Sequence, residues 1–139
     1  ESVFAFMSDA GARVDLYDAV SVRFRGGAIA TVSGAGTVPP GGVASYQVDL
    51  RLFGTEGMLL LDCERARLEL RRHDGTSEGL ELPPDAGAYS CEGPPAEFVD
   101  LVLGNTEVNH SPGEAAMRSV LLLDAAYRSA ASGVVERVG

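Results

Sequence analysis

The chain has 139 residues, with 11 Lys and Arg against 20 Asp and Glu, a formal net charge of −9. Apolar residues make up 45% and charged residues 22%, the balance of one soluble globular domain with a real core. The negative charge argues against nucleic acid as a partner, because phosphate binding needs clustered Lys and Arg, and no stretch reaches the roughly 18 apolar residues of a membrane span.

Ser2 to Ser8 reads as a short strand with apolar residues on both faces, and Asp9-Ala-Gly-Ala as a turn. Val14 to Arg25 alternates: Val20, Val22 and Phe24 face one way, Ser21, Arg23 and Arg25 the other. Gly26-Gly27 is expected as a two-residue hairpin loop, with Ala28 to Ser33 returning antiparallel. Gly34 to Ala44 is an irregular Gly- and Pro-rich connection. Gly34-Ala-Gly36 begins like a dinucleotide fingerprint, but Pro39 stands where the third Gly belongs and no helix follows.

Ser45 to Phe53 alternates most clearly, with Tyr46, Val48, Leu50 and Leu52 against Gln47, Asp49 and Arg51. A Gly54-Thr-Glu-Gly57 turn leads into the apolar strand Met58 to Asp62. Arg65 to Arg72 alternates again, and Asp74-Gly75 turns the chain. Leu80 to Leu82 is a further short strand. A helix from Pro94-Pro95 to about Leu103 presents Phe98, Leu101 and Val102 and ends at Gly104-Asn105.

The longest element is the helix of Ser111 to Gly133. Ser111 is the expected cap, Pro112 the first helical residue, and Glu114 can reach back to the cap. Met117, Val120, Leu121, Asp124, Ala125 and Ala126 form its mostly apolar stripe, and Gly133 its left-handed stop. Such a helix is marginal alone and must bury its stripe against the strands. Strands followed by helices specify an α+β fold: an open-faced, largely antiparallel sheet with helices on one face, spanning residues 1–139 as one domain. The other face would carry Ser21, Arg23, Thr31, Gln47, Asp49, Arg51, Arg67 and Glu69, which is either plainly solvated or a self-complementary pairing surface.

Chemistry is sparse. No HExxH, GxSxG or CxxC occurs, and no spacing selects an acid–base pair. Cys63 and Cys91 are too few for a disulfide framework and lack metal-site spacing, so they read as idle thiols in a reducing cytoplasm. His73 reads as a solvated side chain and His110 as a loop residue at a helix mouth.

Three stretches carry a resemblance: VDLYDAVSVRFRGGAIATVSGAG, LRLFGTEGMLLLD and EAAMRSVLLLDAAYRSAASGVVERV. In this order they resemble the C-terminal domain of the glucose-fructose oxidoreductase, inositol dehydrogenase and MocA (Gfo/Idh/MocA) family. The resemblance implies a partner Rossmann domain binding NAD or NADP, hydride transfer on a sugar, polyol or related small molecule, and a homo-oligomer formed through the open sheet face. The family's nucleotide fingerprint, its Glu-Lys-Pro segment and its Asp-and-His helix have no counterpart here. The start at Glu1 rather than Met fits a piece cut after that helix, so this chain is expected to carry no catalytic, metal or cofactor-binding residue of its own. Substrate contacts implied by the resemblance fall on pocket-side loops, with Tyr89 first and Tyr46 and His110 behind it; Tyr127 is expected to be structural, its ring packed and its hydroxyl bonded. The alternative is a stand-alone dimerisation or partner-binding module with the same fold.

Overall fold

A computed structural model describes residues 1–37, 48–63, 66–83 and 91–139. The chain forms two compact units, Glu1–Pro40 with Phe98–Gly139, and Gly41–Glu97. Each contains one four-stranded antiparallel sheet, and together with two helices they make the expected α+β fold.

The first sheet runs β3-β2-β1-β8, from β1 (Ser2–Ser8), β2 (Tyr17–Arg23), β3 (Ile29–Ala35) and β8 (Glu136–Arg137). Register places Val3 opposite Val22 and Ala5 opposite Val20. Alternation therefore sends Val3, Ala5, Met7, Val20 and Val22 to one face, where the helix α2 (Gly113–Ser132) lies over β1 and β8. Val3 and Val22 are buried, and each contributes about 1.5–3 kcal/mol of burial by area. From the helix side the seam is closed by Ala125, Ala126 and Ser129, at most 1% exposed. Small residues let the helix backbone approach the strands closely.

The expected stripe of α2 is therefore buried only in part. Met117, Val120 and Leu121 remain exposed, and the buried surface comes from the small-residue run nearer the end. The amino-terminal cap also differs. Pro112 itself occupies the cap position, no side chain caps the helix, and the Ser111 N–H donates to Asn109 Oδ1 at 3.0 Å. Glu114 does not reach back; it accepts from Arg118 at 2.6 Å, one turn on, and places its charge favourably in the first turn. The stop at Gly133 is as expected: φ is 72° and its N–H donates to the Ser129 carbonyl at 2.8 Å.

The polar group in this core is fully satisfied. Ser129 Oγ accepts the Ala5 N–H at 3.1 Å and donates to the Val134 carbonyl at 2.6 Å. One hydroxyl thus joins strand, helix and the chain leaving the helix. It also takes a donor on β1 just past the two-residue pairing with β8, where the ladder stops.

The β2–β3 hairpin is one residue longer than expected. The Phe24 N–H donates to the Ala28 carbonyl at 2.9 Å and the Gly27 N–H to the Phe24 carbonyl at 3.0 Å. Arg25, Gly26 and Gly27 form the loop, and Gly27, at φ 88°, holds the left-handed position that closes a three-residue hairpin.

The second sheet runs β4-β5-β6-β7, from β4 (Asp49–Phe53), β5 (Gly57–Asp62), β6 (Arg67–Arg72) and β7 (Ser77–Glu81). Leu50, Leu61, Leu68 and Leu80 align across it, with Leu52, Leu59 and Leu70 beside them. Alternation puts Asp49, Arg51, Arg67, Glu69 and Arg71 on the opposite face. There Arg67 and Arg71 both donate to Glu69, Arg71 at 2.5 Å, and hold its carboxyl below the usual value, the Arg71 bond first. Leu60 and Asp62 are buried on this charged face. The Gly54 N–H donates to the Gly57 carbonyl at 2.8 Å to make the β4–β5 turn. A side chain at Gly57 would stand 2.2 Å from the Arg71 carbonyl oxygen, so only hydrogen fits there.

The helix α1 (Gly93–Leu103) starts and stops where expected, Gly104 taking φ 74°, but none of its residues is buried.

Candidate functional site

A polar hollow on the first unit lies where β1 ends beside α2. Its volume is about 350 Å³, and Ser8, Asp9, Arg13, Asp15 and Tyr127 line it. The 9–16 loop is shaped locally. Asp9 accepts the Gly11 N–H on its side chain at 2.9 Å and the Ala12 N–H on its carbonyl at 2.8 Å, an Asx turn that Ala10 closes at φ 46°. The Leu16 N–H returns to the Ser8 carbonyl at 2.8 Å, which aligns β2 against β1.

Tyr127 reaches across to this loop and its hydroxyl donates to the Asp15 carboxylate. That bond, then desolvation, then the charges of Asp15 and Asp18 push the Tyr127 hydroxyl above its ordinary pKa. The phenol therefore stays protonated at neutral pH and acts as a donor, not as a base. The expected hydroxyl partner of Tyr127 is present, whereas its ring is half exposed rather than packed. Asp18 lies over Gly34 of β3, where a side chain would come within 3.0 Å of Oδ2.

This constellation offers carboxylate acceptors, a phenol donor and one guanidinium. Such groups hydrogen-bond hydroxyls; they do not constitute a nucleophile with a base. Among the described residues no group of three or more His, Cys, Asp or Glu is placed to hold a metal ion. Cys63 is half-buried and Cys91 exposed, and both are free thiols.

Of the three residues expected to meet substrate, Tyr46 and Tyr89 lie outside the described residues. His110 is exposed in the loop before α2. The helix rises ~21 Å from Gly113 to Tyr127, so the fold does not bring His110 to the Tyr127 hollow. The Asp15–Tyr127 pair was not legible in advance, because a loop carboxylate 112 positions away leaves no periodic signal. Ser129 was legible in part: it stands on the same helix face as Ala125, four residues on.

No protein-family model matches the sequence, and none of the curated proteins does. Solved structures do match. An oxidoreductase from Agrobacterium radiobacter, in complex with NAD+, L-tartaric acid and magnesium, superimposes with a TM-score of 0.76 at 17% identity over 99% of this chain and 43% of that one. This is the fold of Gfo/Idh/MocA-type oxidoreductases. Levoglucosan dehydrogenase in complex with NADH matches with a TM-score of 0.74 at 19% identity, over 99% of this chain and 44% of its own. An NAD-binding oxidoreductase from Klebsiella pneumoniae matches at 22% identity and TM-score 0.73, over 99% and 45%. The chain therefore spans less than half the length of these Gfo/Idh/MocA-type chains. Among the described residues no helix is long and apolar enough to cross a membrane.

Proposed function

We propose that this chain is the C-terminal, substrate-side and oligomerisation domain of a cytoplasmic NAD(P)-dependent oxidoreductase acting on a sugar, polyol or related compound. The observation that carries the proposal is the coverage. Nearly the whole chain follows the fold of NAD-binding oxidoreductases while accounting for less than half of each. The cofactor and the hydride-transfer residues then belong to a partner Rossmann domain. This chain contributes substrate contacts from Tyr89, Tyr46 and His110. A hydroxyl-rich substrate suits such groups, since phenol and imidazole can each both donate and accept.

Reading the open reading frame upstream of Glu1 tests the assignment. A nucleotide fingerprint and a Glu-Lys-Pro segment in frame are expected. A start codon at or near Glu1 would overturn it in favour of a stand-alone dimerisation or partner-binding module. Titration calorimetry of this chain with NADH should give no binding heat; tight binding would place the cofactor site here and refute the division of labour.

The homo-oligomer would form through the open face of the first sheet. On that face the register places Phe4, Phe6, Ser21, Arg23, Ile29 and Thr31, with Arg23 the one charge among the described residues of the three long strands. Phe4 and Phe6 stack edge to face at 4.9 Å, while Phe6 is 69% and Ile29 78% exposed. A nearly uncharged face can meet its own copy across a two-fold axis without opposing like charges. The charged face of the second sheet has less need of a partner, because Glu69 is already paired within the chain. Sedimentation should show a dimer that Ile29→Asp weakens at least about tenfold, on the order of 1.4 kcal/mol. A monomer at high concentration of the unaltered chain would refute the interface.

A further inference from the structure

We draw no further inference here: the strongest candidate, the leucine face of the second sheet formed by Leu50, Leu52, Leu59, Leu61, Leu68 and Leu70, carries nothing because nothing in the structure shows what covers it.

Discussion

The hairpins between Phe24 and Ala28 and between Arg72 and Thr76 are built alike. In each, the first residue donates to the carbonyl of the last, at 2.9 and 2.8 Å, and a glycine at φ 88° closes the loop. What holds the two sheets is different. The first sheet is sealed by a helix whose contact surface is small and almost completely buried, with one hydroxyl at its centre. Among the described residues no helix lies between the strands of the second. That sheet combines a leucine face, a buried Leu60 and, on the opposite face, a Glu69 carboxylate held between Arg67 and Arg71. The same backbone turn thus serves two kinds of stabilisation, and the turn does not decide which kind follows.

The contrast can be broken most severely at Gly57. Gly57→Ala would drive a methyl into the Arg71 carbonyl, so β5 and β6 must separate. The expected loss is about 3 kcal/mol or more, read by denaturant unfolding with a probe in the second sheet. An unchanged midpoint would show that the two strands are less closely apposed than described. In the first unit the comparable lever is Ser129→Ala. It strands the Ala5 N–H and the Val134 carbonyl, for an expected cost of about 1–3 kcal/mol, and amide exchange at Ala5 should accelerate. Exchange at Ala5 as slow as before would contradict the role given to the hydroxyl.

The smallest effect separates the units by pH. Glu69 and Asp74, in the second unit, both have carboxyls held below their ordinary values, Glu69 by Arg71 and then Arg67, Asp74 by the Thr76 hydroxyl. Their stabilisation is complete above the ordinary values of 4.5 and 3.8 and is lost as pH falls through the lowered ones. Tyr127, in the first unit, is shifted the other way. Its contribution is complete below the ordinary 10.0 and is lost as pH rises through the raised value. Thermal melts should therefore show an acid limb diminished by Glu69→Gln and an alkaline limb diminished by Tyr127→Phe. Each substitution should leave the other limb in place; crossed effects would mean that the two units do not titrate separately.

Most strands, the Gly133 stop and the inward valines follow from period-two alternation and from glycine's tolerance of positive φ, so they were legible in the sequence; the division into two four-stranded sheets, with β8 beside β1, was not. Boundaries were less so. β2 begins at Tyr17 rather than Val14, because the preceding residues are taken up by the loop that Asp9 initiates. The cap falls one residue later than expected, because the extended Pro112 supplies the first helical carbonyl to Ala115 and Ala116, and Asn109 takes the Ser111 amide that Glu114 was expected to reach. Burial along α2 was harder still: periodicity finds a stripe but not how far the strands extend beneath it, and that extent leaves Met117 and Val120 in solvent. Gly57 looked like an ordinary turn glycine, since nothing local reports the Arg71 carbonyl on the neighbouring strand. Of the candidate site, residue types that suit hydroxyls were visible, but their meeting at Tyr127 is a tertiary event.

The dovetailed end of α2 has an evolutionary corollary. Between Ala125 and Val134 the helix is pinned like the root of a cantilever, and upstream of that root its exposed flank is not wedged into the core. An extra residue inserted before Leu121 would swing that flank by about 100° while the root stayed seated. Related chains could accordingly re-aim Met117 and Val120 toward new neighbours by insertion or deletion, without renegotiating the joint with β1.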